Sequence, residues 1–184
     1  MNLNLSTPLQ LIGRSIEFQR IIEILAKDAD LLITGVPGSG RRTLVRGAAQ
    51  EVNTVILEID CIRATEAERF VQLLAEAINQ SWKAEKIQIW LNENRSAFFT
   101  FNSESQLKLI RSLEQEQLWQ AFASLLDLLE IMAIDLNQRI LLILVSFRWP
   151  SAASAPIFKQ VKRYCSIKVR CPMLYVQAWL FLHY

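Results

Sequence analysis

Apolar positions along the chain switch between a helical period and short continuous runs, and the order of these switches predicts the fold. After an extended lead-in over residues 1–10, Phe18, Ile21, Ile22 and Leu25 recur at helical spacing. Ser15 is the expected N-cap of that helix, with Glu17 in its first turn and Lys27 at its end. Asp28 to Asp30 form a turn into the apolar run Leu31-Leu32-Ile33-Thr34, which reads as a buried strand. A helix over about 41–52 places Leu44, Val45, Ala48, Ala49 and Val52 on one face. Thr54-Val55-Ile56-Leu57-Glu58-Ile59 is the next strand. Thr65-Glu66-Ala67-Glu68 has the form of a capping box, opening a helix to about Gln80 that buries Phe70, Leu74, Ala77 and Ile78. This alternation predicts an α/β fold with a parallel sheet.

The second half is less regular. Trp82, Ile87, Ile89, Trp90 and the aromatics from Phe98 to Phe101 suit a helix followed by an aromatic-rich connector, without a definite placement. Ser103-Glu104-Ser105-Gln106 reads as another capping box, predicting a short helix. Leu118, Phe122, Leu125, Leu129 and Met132 predict a longer helix over about 115–134. Asn137 and Gln138 form a turn, and Ile140-Leu141-Leu142-Ile143-Leu144 is the third buried strand.

The candidate chemistry lies directly after the first strand, in Gly35-Val36-Pro37-Gly38-Ser39-Gly40-Arg41-Arg42-Thr43. A strand, a glycine-rich turn and a helix make a phosphate cradle of the form G-x-x-x-x-G-K-[S/T], in which backbone N–H groups and the helix dipole face a polyphosphate. The lysine position holds Arg41, and the hydroxyl position that would ligate Mg²⁺ holds Arg42. Arginine keeps the charge as a planar, bidentate partner rather than a compact point charge, and a guanidinium cannot ligate a metal. Thr43 comes one residue late, and would serve as a metal ligand only if the helix started late. The expectation is nucleotide binding, with ATP as ligand and Mg²⁺ left open, and without efficient hydrolysis.

Composition changes this picture at one place. The 184 residues are 52% hydrophobic, enough for one well-buried domain, and the net charge is only +2. The distribution is uneven. Fourteen basic against eighteen acidic side chains leave residues 1–144 at −4. Residues 145–184 contain no acid and carry Arg148, Lys159, Lys162, Arg163, Lys168 and Arg170. Cys61, Cys165 and Cys171 lack metal spacing, and His183 is the only histidine, so no zinc site or disulfide framework is expected and a cytoplasmic setting fits. Cys61 reads as a small, buried or half-buried thiol, and Glu114 and Glu116 as charges at a helix N-terminus. Met173 to Tyr184 is apolar but too short to cross a bilayer, and no membrane partner is expected.

These landmarks together resemble the P-loop ATPases of the AAA+/STAND type, notably the archaeal-type and origin-recognition-like groups. Leu11-Ile12-Gly13-Arg14-Ser15-Ile16-Glu17-Phe18 is similar to the GRxxE box that precedes the first strand there. Residues 31–44 resemble the strand and phosphate loop, and the helix at 115–134 with the strand at 140–144 resembles the approach to the Walker B strand. The likeness covers roughly residues 10–144. It implies a three-layer P-loop NTPase sheet, Gly13 and Arg14 bordering the adenine, and a regulatory or signalling ATPase that couples ATP occupancy to rearrangement with other domains or subunits.

The resemblance also implies an acidic pair at the end of the third strand, the Asp holding the Mg²⁺ water shell and the Glu polarising the attacking water. Val145-Ser146-Phe147 stands there instead, and no catalytic residue is assigned. Asp60 would stand on an outer strand. The break coincides with the loss of acids, and GAT GAG TTT with the A of its first codon deleted reads GTG AGT TT, or Val-Ser-Phe. The expectation is an incomplete sheet of three recognisable strands followed by a non-family basic tail, 145–184, which is either read out of frame and truncates a longer ATPase or is a divergent in-frame tail with a solvated basic face. Two alternatives stay open. One is a non-catalytic module for protein or nucleic acid, the basic tail with Phe158, Tyr164 and Tyr175 offering charge and stacking. The other is a remnant without function.

Overall fold

The computed structural model describes residues 13–27, 31–33, 35–36, 38–94, 97–110, 113–145 and 174–180. In chain order the elements are α1 (Ser15–Ala26), β1 (Leu31–Ile33), α2 (Arg41–Glu51), β2 (Thr54–Asp60), α3 (Ala67–Ser81), α4 (Ala84–Asn94), β3 (Phe99–Phe101), β4 (Leu107–Leu109), α5 (Gln115–Leu136), β5 (Arg139–Val145) and β6 (Leu174–Leu180). The main sheet has the order β1-β6-β5-β2 and every pairing in it is parallel. Strands β3 and β4 form a separate antiparallel hairpin.

Strand β5 shows why the sheet must be covered on both faces. Its apolar residues run without a break, and successive side chains point to opposite sides. Ile140, Leu142 and Leu144 join the larger core with Leu57, Ile59, Phe70, Leu74, Trp90 and the buried stripe of α5. Leu141, Ile143 and Val145 join the smaller core with Ile21, Leu25, Leu44, Val45 and Ala48 from α1 and α2. The result is three layers, α1 and α2 on one side and α3, α4 and α5 on the other. The expected α/β architecture with a parallel sheet is thus observed. Helix α5 is long and apolar enough to cross a membrane by length and composition. Its residues Phe122, Leu125, Leu126 and Leu129 instead fill the centre of the larger core.

The structure corrects several local expectations. Among the described residues the sheet has four strands, not three, because residues 174–180 of the expected tail pair with β1 on one side and β5 on the other. The presumed helix start at Ser103 is the turn of the β3–β4 hairpin. There Asn102 Oδ1 accepts from the N–H groups of Glu104 and Gln106 at 3.0 and 2.9 Å, and Ser105 takes a positive φ of 56°. Turn-forming side-chain bonds of Asn compete with helix initiation, and here they win. Arg14 rather than Ser15 holds the cap position of α1, without a side-chain cap bond. Helix α3 begins at Ala67 with Glu66 as an unassisted cap, so the Thr65 box does not form. The capping box that does form is at α5, where the side chains of Glu114 and Gln117 exchange bonds with each other's backbone N–H. Residues 1–10, Asp28 to Asp30, and the basic, Tyr164, Cys165, Cys171 and His183 positions lie outside the described residues.

Candidate functional site

Strand β1 delivers the chain to the C-terminal edge of the sheet, and the turn into α2 is built from glycines. Gly38 and Gly40 have φ of +76° and +72°, the left-handed region that a side chain makes costly. Gly40 sits at the cap position of α2, and its carbonyl accepts the first helical bond from Leu44 N at 2.9 Å. Among the described residues, chain neighbours aside, no atom lies within 4 Å of where a Cβ on Gly38 or Gly40 would stand. Ser39 N donates to Val36 O at 3.3 Å, which closes the turn. Pro37 lies outside the described residues.

Arg41 is the buried charge of this loop, only 3% exposed. Its Nη2 donates to Val36 O at 3.0 Å. Its Nη1 and Cδ lie 3.4 and 3.5 Å from where a Cβ on Gly35 would stand, so the guanidinium packs against the glycine backbone. Ser39 Oγ lies 3.5 Å from the same point. Among the described residues this enclosed hydroxyl has no hydrogen-bond partner. Arg14 reaches in from the head of α1 and donates from Nη1 to Ser39 O, while its Nε pairs with Glu17 at 3.4 Å. The GR box and the glycine loop, 25 positions apart, therefore meet, and Arg14 is a brace on the loop.

The position after Arg41 behaves differently. Arg42 is exposed and pairs with Glu58 of β2, which Arg46 also binds, at 3.0 and 2.6 Å from Nε and Nη2. The sequence does carry a signal for this pairing: Glu58 shares the α2-facing side of β2 with Ile56, and Arg42 and Arg46 stand one helical turn apart. Thr43 is exposed on α2, one residue round the helix from Arg42.

Among the described residues, β5 ends without an acidic side chain. Val145 ends β5, buried, with Asp60 opposite it on β2. Asp60 is therefore one strand further from the loop than Val145, at the edge of the sheet. Its Oδ1 accepts from Ile62 N at 3.1 Å and caps the single 3₁₀ turn Cys61–Arg63. The Mg²⁺ that this architecture implies finds neither a hydroxyl in register nor a carboxylate at the end of β5, and the residues present do not fit it. Among the described residues no group of His, Cys, Asp or Glu could hold a metal ion. Cys61 is half-buried, with burial and the neighbouring Asp60 pushing its thiol pKa up to about 12.

Strand order, loop position and helix layers agree with solved structures. The chain is similar to Cdc6p from Pyrobaculum aerophilum, with a TM-score of 0.55 and 13% identity, over 98% of this chain and 41% of that one. At this identity the likeness is one of fold. A second structure with the Cdc6/ORC fold, the ORC2 protein of Aeropyrum pernix solved as ADPNP–ADP complexes, gives a TM-score of 0.52 and 15% identity, over 97% of this chain and 43% of that one. The chain thus spans about two fifths of the length of these Cdc6/ORC proteins. No family model matches the chain, and no curated protein does.

Proposed function

We propose that the chain binds a nucleotide, ATP or ADP, on the loop from Gly35 to Thr43, as the nucleotide-sensing part of a regulatory ATPase assembly, and that it does not hydrolyse ATP efficiently. The observation that supports this is the loop itself. Two glycines in left-handed conformation lead into the N-terminus of α2, with open space above them and an enclosed, unpartnered Ser39 hydroxyl beneath. Backbone N–H groups and the positive end of a helix dipole favour a polyphosphate at such a turn. Arg14, tied to the loop through Ser39 O, and Gly13 before it would border the base. The absence of hydrolysis rests on Val145 and Arg42, which cannot place a water or a metal. The ORC2 protein with the same fold was solved as ADPNP–ADP complexes, which is in keeping with this reading.

Thermal unfolding of the chain with and without ATP or ADP tests it. A nucleotide in hundredfold excess over Kd stabilises by about 2.7 kcal/mol, a readily measured rise in Tm. Gly40→Asp is the decisive variant, since it places a carboxylate where the phosphates would sit. No atom crowds that Cβ, so the left-handed strain costs only about 1–2 kcal/mol and the fold should survive. A shift in the parent that is lost in Gly40→Asp is the expected result. Equal shifts in both would show that nucleotide binds elsewhere.

A further inference from the structure

The misfit of the metal position and the placement of Arg41 lead to one further statement about the same site. We propose that the loop takes the polyphosphate of a nucleotide without a divalent cation, the Arg41 guanidinium serving as its resident counter-charge. This rests on nucleotide binding by the loop.

Several observations carry it. Arg41 is held inside the loop rather than extended into solvent, buried against Gly35 and bonded to Val36 O. A guanidinium is always charged, so the charge is in place before any ligand arrives. The next residue, where the phosphate loop pattern needs a hydroxyl for the cation, is a second guanidinium. Arg42 is drawn to Glu58, whose side chain is 13% exposed and which Arg46 also clamps. A metal beside the phosphates would therefore meet the Arg41 guanidinium, and no hydroxyl ligand at the position that Arg42 occupies. At the end of β5 the buried Val145 supplies no carboxylate to hold the water shell of a cation. The enclosed Ser39 hydroxyl adds a donor that needs no metal.

Calorimetric titration of the full chain with ADP and ATP, once in EDTA and once in excess Mg²⁺, is the test. The expected result is a Kd in EDTA no more than about threefold weaker than in Mg²⁺. Arg41→Met should weaken binding in both buffers by about tenfold or more, the size expected for one lost charge-assisted hydrogen bond. Arg41→Lys keeps the charge, and should lose less. The comparison of buffers uses the parent chain, so it decides the matter even if Arg41→Met fails to fold. Binding that weakens about tenfold or more on removing Mg²⁺ overturns the metal-free proposal and leaves nucleotide binding standing. Absence of binding in both buffers overturns both.

Discussion

At the scale of single residues, identity and environment together decide what a side chain can do, and Cys61 is the clearest case. It follows β2 directly and its Sγ contacts Ile59 O at 3.8 Å, a position that would suit a nucleophile. Burial and the adjacent Asp60 carboxyl both disfavour the thiolate, and the pKa rises from 9.0 to about 12. The thiol is therefore protonated and unreactive at neutral pH, since the thiolate is the nucleophile. The pH dependence of stability has a definite sign. Below pH 9 the thiol is protonated in both folded and unfolded chains and its stabilising effect is complete. Between pH 9 and about 12 the unfolded chain loses its proton first, so the folded state loses stability as pH rises. Mass mapping of the Cys61 peptide after iodoacetamide treatment should show little label at pH 7.5 in the folded chain and full label in denaturant. Rapid labelling of the native chain would mean that the thiol is exposed to a stabilising positive charge instead.

At the scale of elements, close approaches fix how helices sit, and some of them could be read in the sequence. The buried stripes of α3 and α5 followed from spacing, because every residue expected to be buried there is in the core. The hairpin did not, because β3 and β4 are three residues each, too short for their alternation to stand out. Phe99, Leu107 and Leu109 set the hairpin on the larger core, and one polar side chain pins it. Asn79 of α3 donates from Nδ2 to Leu107 O and accepts from Leu107 N, both at 2.9 Å, and so fills the place of a neighbouring strand. Nothing in the sequence distinguishes Asn79 from a surface asparagine 28 positions away from its partner. Asn79→Leu should cost about 2–3 kcal/mol in urea unfolding, from two backbone groups of a buried residue left without partners. Gly47 is a different kind of contact. A Cβ there would stand 3.2 Å from Cε2 of Phe18, so α1 and α2 cross at a residue with no side chain. Phe18 is half-buried and can yield by tenths of an ångström, so Gly47→Ala should stabilise by up to about 1 kcal/mol through helix propensity. Gly47→Leu would drive the Phe18 ring out and should destabilise by about 2 kcal/mol. Destabilisation by alanine as large as by leucine would show that the ring is rigidly held.

At the scale of the whole molecule, the sheet depends on its last strand. The phosphate loop was legible in the sequence, since strand, glycines and helix are contiguous. The fourth strand was not, because it follows an acid-free stretch whose composition departs from the rest. Yet β6 lies in the middle: Ala178 is opposite Leu31 on one side and Ile143 on the other. Without it, β1 would lose the hydrogen-bonded neighbour that ties the strand carrying the loop to β5 and β2. Ala178→Pro tests this through the backbone alone. Proline removes a ladder donor and is confined to edges or bulges in native sheets, so a central position tolerates it badly. If β6 is the link between loop and core, Ala178→Pro should abolish the nucleotide-dependent rise in Tm. It should do so while the helices α3 and α5, whose buried residues pack in one cluster with those of β2 and β5, retain their helical circular dichroism. If instead the nucleotide shift survives at its parent size, the loop is organised by α1, α2 and the Arg14 brace alone. The central position of β6 would then be dispensable for binding.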